Sequence, residues 1–185
     1  MRFFRQSKQE NPRLFMATLN YYGNLKRSQG YFDQGRILLE EALEFGRLND
    51  LSNSAEYAEV LNDLGLMDWF EEELDSAKRL LEQGLNIRLM IFPQYHPSVT
   101  ESLFNLAGVF ESRSLFDEAE YYYRRCISLT EEWSGESNQV IWIYRLSLLN
   151  FLLDNSREHE TEDLIAQLSR ALDEGSIKNL NERLS

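Results

Sequence analysis

Apolar residues between Ser98 and Arg125 fall into two short series. Leu103, Leu106, Ala107 and Phe110 are spaced i, i+3, i+4 and i+7, which places them on one face of a helix. After a polar joint at Ser112 to Ser114, a second helical series follows at Phe116, Ala119, Tyr123 and Cys126. A joint this short turns the second helix back against the first, so the stretch predicts an αα-hairpin. Large and small side chains alternate within each series, and the small ones let a neighbouring helix come close. A single hairpin cannot bury its own apolar faces. It requires similar units stacked on either side.

Copies occur at a spacing of 42 residues. The small positions Gly23, Gly65 and Ala107 form one column, Gly35, Ala77 and Ala119 a second, and Ala42, Gly84 and Cys126 a third. The large positions agree: Leu19, Leu61 and Leu103; Tyr22, Leu64, Leu106 and Leu148; Phe32, Leu74 and Phe116; Leu39, Leu81, Tyr123 and Ile165. A fourth copy keeps the large columns only in part and loses the small ones, with Leu149, Thr161 and Leu168 in their places and Glu158 in the Phe32 column. Terminal repeats commonly degenerate in this way.

Breaks between copies are readable. Gly30 supplies the first turn, and the polar run from Asn49 to Ser54 offers several N-caps for the next helix. In the second copy Trp69-Phe70-Glu71-Glu72-Glu73 stands where the first has its glycine turn, as either a local staple or an exposed contact. Phe92-Pro93 and His96-Pro97 end the fourth helix, because proline disfavours helical geometry in the residue before it. The next helix starts either with a capping box at Ser98 to Glu101 or with Pro97 at its first position. Trp133-Ser134-Gly135 closes the third hairpin, and Gly175 the fourth. No Gly/Pro/Ser-rich linker divides the chain. The expectation is a single all-α domain over residues 1–185, with repeats at about 12–53, 54–97, 98–138 and 139–175 and a capping helix at 176–184, nine helices in all.

The small–large–small pattern resembles the tetratricopeptide repeat, in the 42-residue subtype found in kinesin light chains and many bacterial proteins. The resemblance rests on His96-Pro97-Ser98-Val99, Ser102 to Ala107, Phe116 to Glu120 and Tyr123 to Cys126, with Gly30-Tyr31-Phe32, Glu41 to Glu44 and Leu61 to Gly65 in the earlier copies. It covers about Pro12 to Leu172. It implies a right-handed α-solenoid of antiparallel helix pairs in which the first helix of each pair lines a concave groove. The groove positions are then Asn20, Tyr21, Asn24 and Arg27 in the first copy, Glu59, Asn62, Asp63 and Trp69 in the second, Glu101, Phe104, Asn105 and Glu111 in the third, and Asn150 in the fourth. Asparagine recurs among them, and its amide both donates and accepts, so a series of asparagines can pair with an extended peptide backbone. In the resembling family, groove asparagines hold partner peptides that way. Some relatives clamp a terminal carboxylate with basic residues. Here only Arg27 is basic in the set, so a basic or mixed partner with apolar anchors on Tyr21, Trp69, Phe70 and Phe104 is the better match.

Charge narrows the partners further. A net charge of −12 and a pI near 4.7 disfavour nucleic acid, which demands a basic stripe, and an anionic membrane surface. No apolar run approaches the roughly 18 residues that span a bilayer, and Met1 to Glu10 lacks the apolar centre of a signal peptide. A cytoplasmic protein is expected. The single cysteine, Cys126, stands in a small-residue column and is read as packing. The two histidines, His96 and His159, lie in joints without cysteine or a second histidine at metal-ligand spacing. Adjacent acids such as Glu71-Glu72-Glu73 read as a solvated face, and no phosphate-binding glycine loop occurs. No catalytic residue, metal or cofactor is expected. The reading is a non-catalytic protein–protein interaction module. The alternatives are a self-associating subunit of a larger assembly, as a homo-oligomer, and a small acidic chaperone or regulator.

Overall fold

The computed structural model describes residues 11–134 and 139–173. Residues 1–10, the breaks expected at Gly135 and Gly175 and the capping helix expected at 176–184 lie outside those residues. Among the described residues there are eight α-helices, one 3-10 turn and no strand. The chain divides into two compact units between Pro93 and Gln94. The first holds α1 (Pro12–Ser28), α2 (Phe32–Leu48), α3 (Ala55–Phe70) and α4 (Leu74–Ile91). The second holds α5 (Pro97–Ser112), α6 (Phe116–Ser134), α7 (Gln139–Asp154), the 3-10 turn Glu158–Glu160 and α8 (Glu162–Asp173). Within each unit every helix packs on the next, and α1 also touches α3, which is the consecutive pair packing of an α-solenoid.

The turn inside every hairpin is the same structure four times. Gly30, Glu72, Ser114 and Ser156 all have positive φ, between 57° and 83°, and they stand 42 residues apart. Around each, the following N–H reaches back five residues (Tyr31 to Lys26, Glu73 to Asp68, Leu115 to Phe110, Arg157 to Leu152), and the positive-φ residue itself donates to Arg27, Trp69, Glu111 or Leu153. This is the Schellman closure, which satisfies the last carbonyls of the first helix. Only the first copy uses glycine there.

The first helices of the first three hairpins start on side-chain caps. The Asn11 side chain accepts from the Leu14 N–H at 3.1 Å, and Ser54 from Tyr57 at 3.1 Å. His96 Nδ1 accepts from Ser98 N–H at 3.2 Å with Pro97 at the first helical position, so the proline start holds and not the capping box.

The small columns let helix backbones approach. A methyl group on Gly35 would stand 2.9 Å from the Gly23 carbonyl oxygen, and one on Gly65 would stand 2.8 Å from Leu81 Cγ. Beside that contact, Phe15, Met16, Leu19, Leu39, Ala42, Phe45, Val60, Leu64 and Met67 form the first unit's main core. Phe15 and Phe45 meet edge to face at 4.8 Å. In the second unit Val99, Leu106, Ala107, Ala119, Tyr123, Cys126, Leu148 and Phe151 are all buried.

Two expectations need correction. Phe32 and Phe116 are half exposed and not deep core. They reach forward to the next hairpin: Phe32 stacks on Phe70 at 5.5 Å, and Phe116 meets Phe151 at 6.2 Å. In the fourth hairpin the second helix begins at Glu162, four residues later than the 42-residue register requires, with the 3-10 turn in between. Ile165 is consequently 46% exposed, unlike the buried Leu39, Leu81 and Tyr123 of its column. Glu158 stands where the Phe32 column has an apolar residue at the first position of the helix.

Ion pairs repeat the hairpin-to-hairpin links. Arg36 donates to Asp68 at 2.7 Å and Glu71 at 2.9 Å. Its counterpart two copies on is Glu120, which accepts from Arg157 at 2.5 Å, the same link with charges reversed.

Candidate functional site

On α1, residues 17, 20, 24 and 27 share one face by helical spacing; on α3, residues 56, 59 and 63 do. These faces meet. Asn24 Nδ2 donates to Asp63 Oδ2 at 2.6 Å, and the Asn20 amide also donates to Asp63. Asp63 is 8% exposed. Burial pushes its carboxyl above the usual range, and the amides of Asn24 and Asn20 oppose that rise. Glu59 accepts from Arg88 Nη2 at 2.8 Å, an arginine of α4 whose exposure is only 1%. Since both asparagines direct N–H groups at Asp63, their carbonyl oxygens are left for other partners. Asn20 Oδ1, Asn24 Oδ1 and Glu56 Oε2 are buried and receive no hydrogen bond.

Between these faces lies a concavity of about 370 Å³, lined by Ala17, Asn20, Tyr21, Asn24, Ala55, Glu56 and Glu59. The small side chains of Ala17 and Ala55 leave the space, and Tyr21 stands beside it 73% exposed. A smaller hollow of about 200 Å³ lies at the turn end of the same unit, lined by Arg27, Ser28, Phe32, Met67, Phe70 and Glu71.

The second unit places its expected groove residues differently. Phe104 sits between Tyr144 at 4.9 Å and Tyr123 at 5.8 Å. Glu111 accepts from the Tyr123 hydroxyl at 2.6 Å. Burial, and then that carboxylate, drive the Tyr123 phenol far upward, and burial pushes Tyr144 up to about 12. Glu101 and Asn150 are exposed.

Of the residues singled out from sequence, Tyr21, Glu59, Glu101 and Asn150 are open to solvent. Asn24, Arg27, Trp69, Phe104 and Glu111 are half-buried, and Asn20, Asn62, Asp63 and Asn105 are buried, Asn62 to 2%. Asn20, Asn24, Asp63 and Glu59 come together at one place. Glu56 and Arg88 belong with them and escaped the sequence reading. Glu56 was detectable, because it precedes Glu59 by three residues on the same helical face; Arg88 was not, because it arrives from a different helix.

Of the other reactive groups, His159 is open to solvent beside Glu160, and two are occupied or sealed. His96 caps α5, and the Cys126 thiol is buried, donates to the Tyr123 carbonyl at 3.1 Å and is pushed up to about 12 by burial. Among the described residues no cluster of His, Cys, Asp and Glu is arranged to hold a metal ion, and no helix is long and apolar enough to cross a membrane.

The tetratricopeptide-repeat family profile matches residues 14–90. No curated protein matches the chain in sequence. Solved structures do match it in fold. BtubC (BKLC) from P. vanneervenii superposes with a TM-score of 0.81 at 17% identity, covering 90% of this chain and 69% of that one. The kinesin-light-chain-type, nearly identical TPR-like repeats from Podospora anserina give 0.72 at 16% identity, over 86% of this chain and 76% of theirs. The N-terminal domain of stress-induced protein-1 from C. elegans gives 0.53 at 14% identity, over 65% and 88%. At such identities the likeness is one of fold. This fold generally serves protein–protein interaction. Residues 14–90 carry the tetratricopeptide repeat, and the chain as a whole has the fold of a tetratricopeptide-repeat α-solenoid.

Proposed function

We propose that this chain is a non-catalytic interaction module that holds an extended segment of a partner protein against the first helices of its hairpins, in the first unit against α1 and α3. The observation that carries the reading is the concavity of about 370 Å³ between those helices, lined by residues of the columns in which a groove is expected. Its lining sets two asparagines and two glutamates among the apolar surface of Ala17, Ala55 and the exposed Tyr21. Such a surface suits a segment of basic or mixed charge with apolar anchors. The net charge of −12 favours the same partners over nucleic acid or an anionic membrane, and a cytoplasmic setting goes with this reading.

Selection of a random twelve-residue peptide display library on the full chain tests it. Binders should be recovered, and Tyr21→Ala should weaken them about ten-fold while leaving the helical thermal transition in place, because Tyr21 is exposed and holds nothing in the core. Binders indifferent to Tyr21→Ala would remove this face as the site.

A further inference from the structure

The α1–α3 concavity is defined by acceptors. Asn20 Oδ1, Asn24 Oδ1 and Glu56 Oε2 are each buried and lack a donor, and Asn20 is itself only 8% exposed. Buried oxygens normally have a partner, and these three belong to residues that line one hollow. Their orientation is imposed. Asp63 takes an amide N–H from both asparagines, and neither amide can turn round without aiming its oxygen at that carboxylate. Nothing in the lining fills the gap from inside: Ala17 and Ala55 have no polar side chain, Glu56 and Glu59 are acceptors, and the Tyr21 side chain is largely in solvent.

Charge narrows the ligand. Glu56, Glu59 and Asp63 are three carboxylates around the hollow, and the nearby arginines are Arg88, engaged by Glu59, and Arg27, which lies outside the lining, acts on Asp63 through its field and keeps a buried Nε of its own without a partner. A carboxylate or phosphate ligand would meet acceptors and like charge. A main-chain N–H would satisfy one oxygen and leave two. An ammonium group carries three donors and a guanidinium five, both with positive charge. We propose that this concavity is a socket for one basic side chain, lysine or arginine, of the bound segment. The proposal rests on the peptide-binding reading above and adds the residue type that the first unit selects.

The experiment uses the full chain and peptides recovered from the display selection. For one binder, its basic residue is kept, exchanged between lysine and arginine, or replaced by norleucine, and binding is read by fluorescence polarisation. Norleucine should weaken binding to the wild-type chain at least about ten-fold, the scale of a desolvated charge-assisted contact. The lysine and arginine forms should differ less from each other than either differs from norleucine. Glu56→Gln should weaken the basic peptide and leave the norleucine peptide unchanged, so that the two effects do not add. Equal binding of the norleucine and basic forms to the wild-type chain overturns the socket even if Glu56→Gln fails to fold. Recovered peptides that lack a basic residue but remain sensitive to Tyr21→Ala overturn the socket and keep the groove reading. Recovery of no binder overturns both.

Discussion

Asp63 shows how one buried group sets the chemistry around it. Its pKa is raised by burial, with the amides of Asn24 and Asn20 acting against the rise. A raised carboxyl pKa means that the folded state holds the proton more tightly than the unfolded chain. Its contribution to stability is therefore complete below the ordinary carboxylate range and is lost as pH rises through the folded-state value. Asp63→Asn removes that dependence. Urea unfolding of both proteins over an acidic pH series should show wild type losing stability relative to the variant as pH rises; a constant difference would contradict it. Gly35 acts by size instead. A Cβ there would meet the Gly23 carbonyl at 2.9 Å, a backbone atom that cannot rotate away. Gly35→Ala should cost about 1 kcal/mol or more by forcing α1 and α2 apart, after allowing for alanine's better helix propensity. A higher urea midpoint in the variant would show that the helices have room.

Helices and turns carry a different kind of information. The periodicity of the apolar residues anticipates helices where α1 to α7 occur, since one wet face and one dry face is all that a packed helix needs. The turns are less legible. Glu72, Ser114 and Ser156 adopt the left-handed conformation of Gly30 without being glycine, because the Schellman bonds and the packed helices on both sides hold them there. The conformation costs a residue with a Cβ free energy that glycine avoids. Glu72→Gly should raise stability by about 0.5–1 kcal/mol in denaturant unfolding, and a loss would mean that the Glu72 side chain makes a compensating contact. The aromatic pair beside that turn was ambiguous in sequence. It resolves as Phe70 stacked on Phe32, a contact 38 positions apart that no local pattern can disclose.

Across the whole chain, repetition makes stability a sum of local interfaces, so a weak terminal copy opens more easily than the rest. α8 is the shortest helix of the described chain, starts late, and leaves Ile165 in solvent. Amide hydrogens of α8 should exchange with solvent faster than those of α3 and α4, as hydrogen-exchange mass spectrometry can measure; equal protection would mean that the fourth copy is as firmly seated as the others.

The 42-residue register, the helix pairs and the α-solenoid fold could be read from the order of residues, because helical faces are periodic and stacked copies need the same small and large side chains at the same places. Which polar residues of those helices meet solvent could not. Asn20, Asn24 and Asp63 belong to two helices 39 positions apart at their point of contact, and the amide orientation exists only once Asp63 stands between them. Arg88 reaches Glu59 from a third helix. Burial of a polar side chain depends on how closely the next helix approaches, and that distance is set by contacts such as Gly23 against Gly35, not by the side chain's own neighbours in sequence.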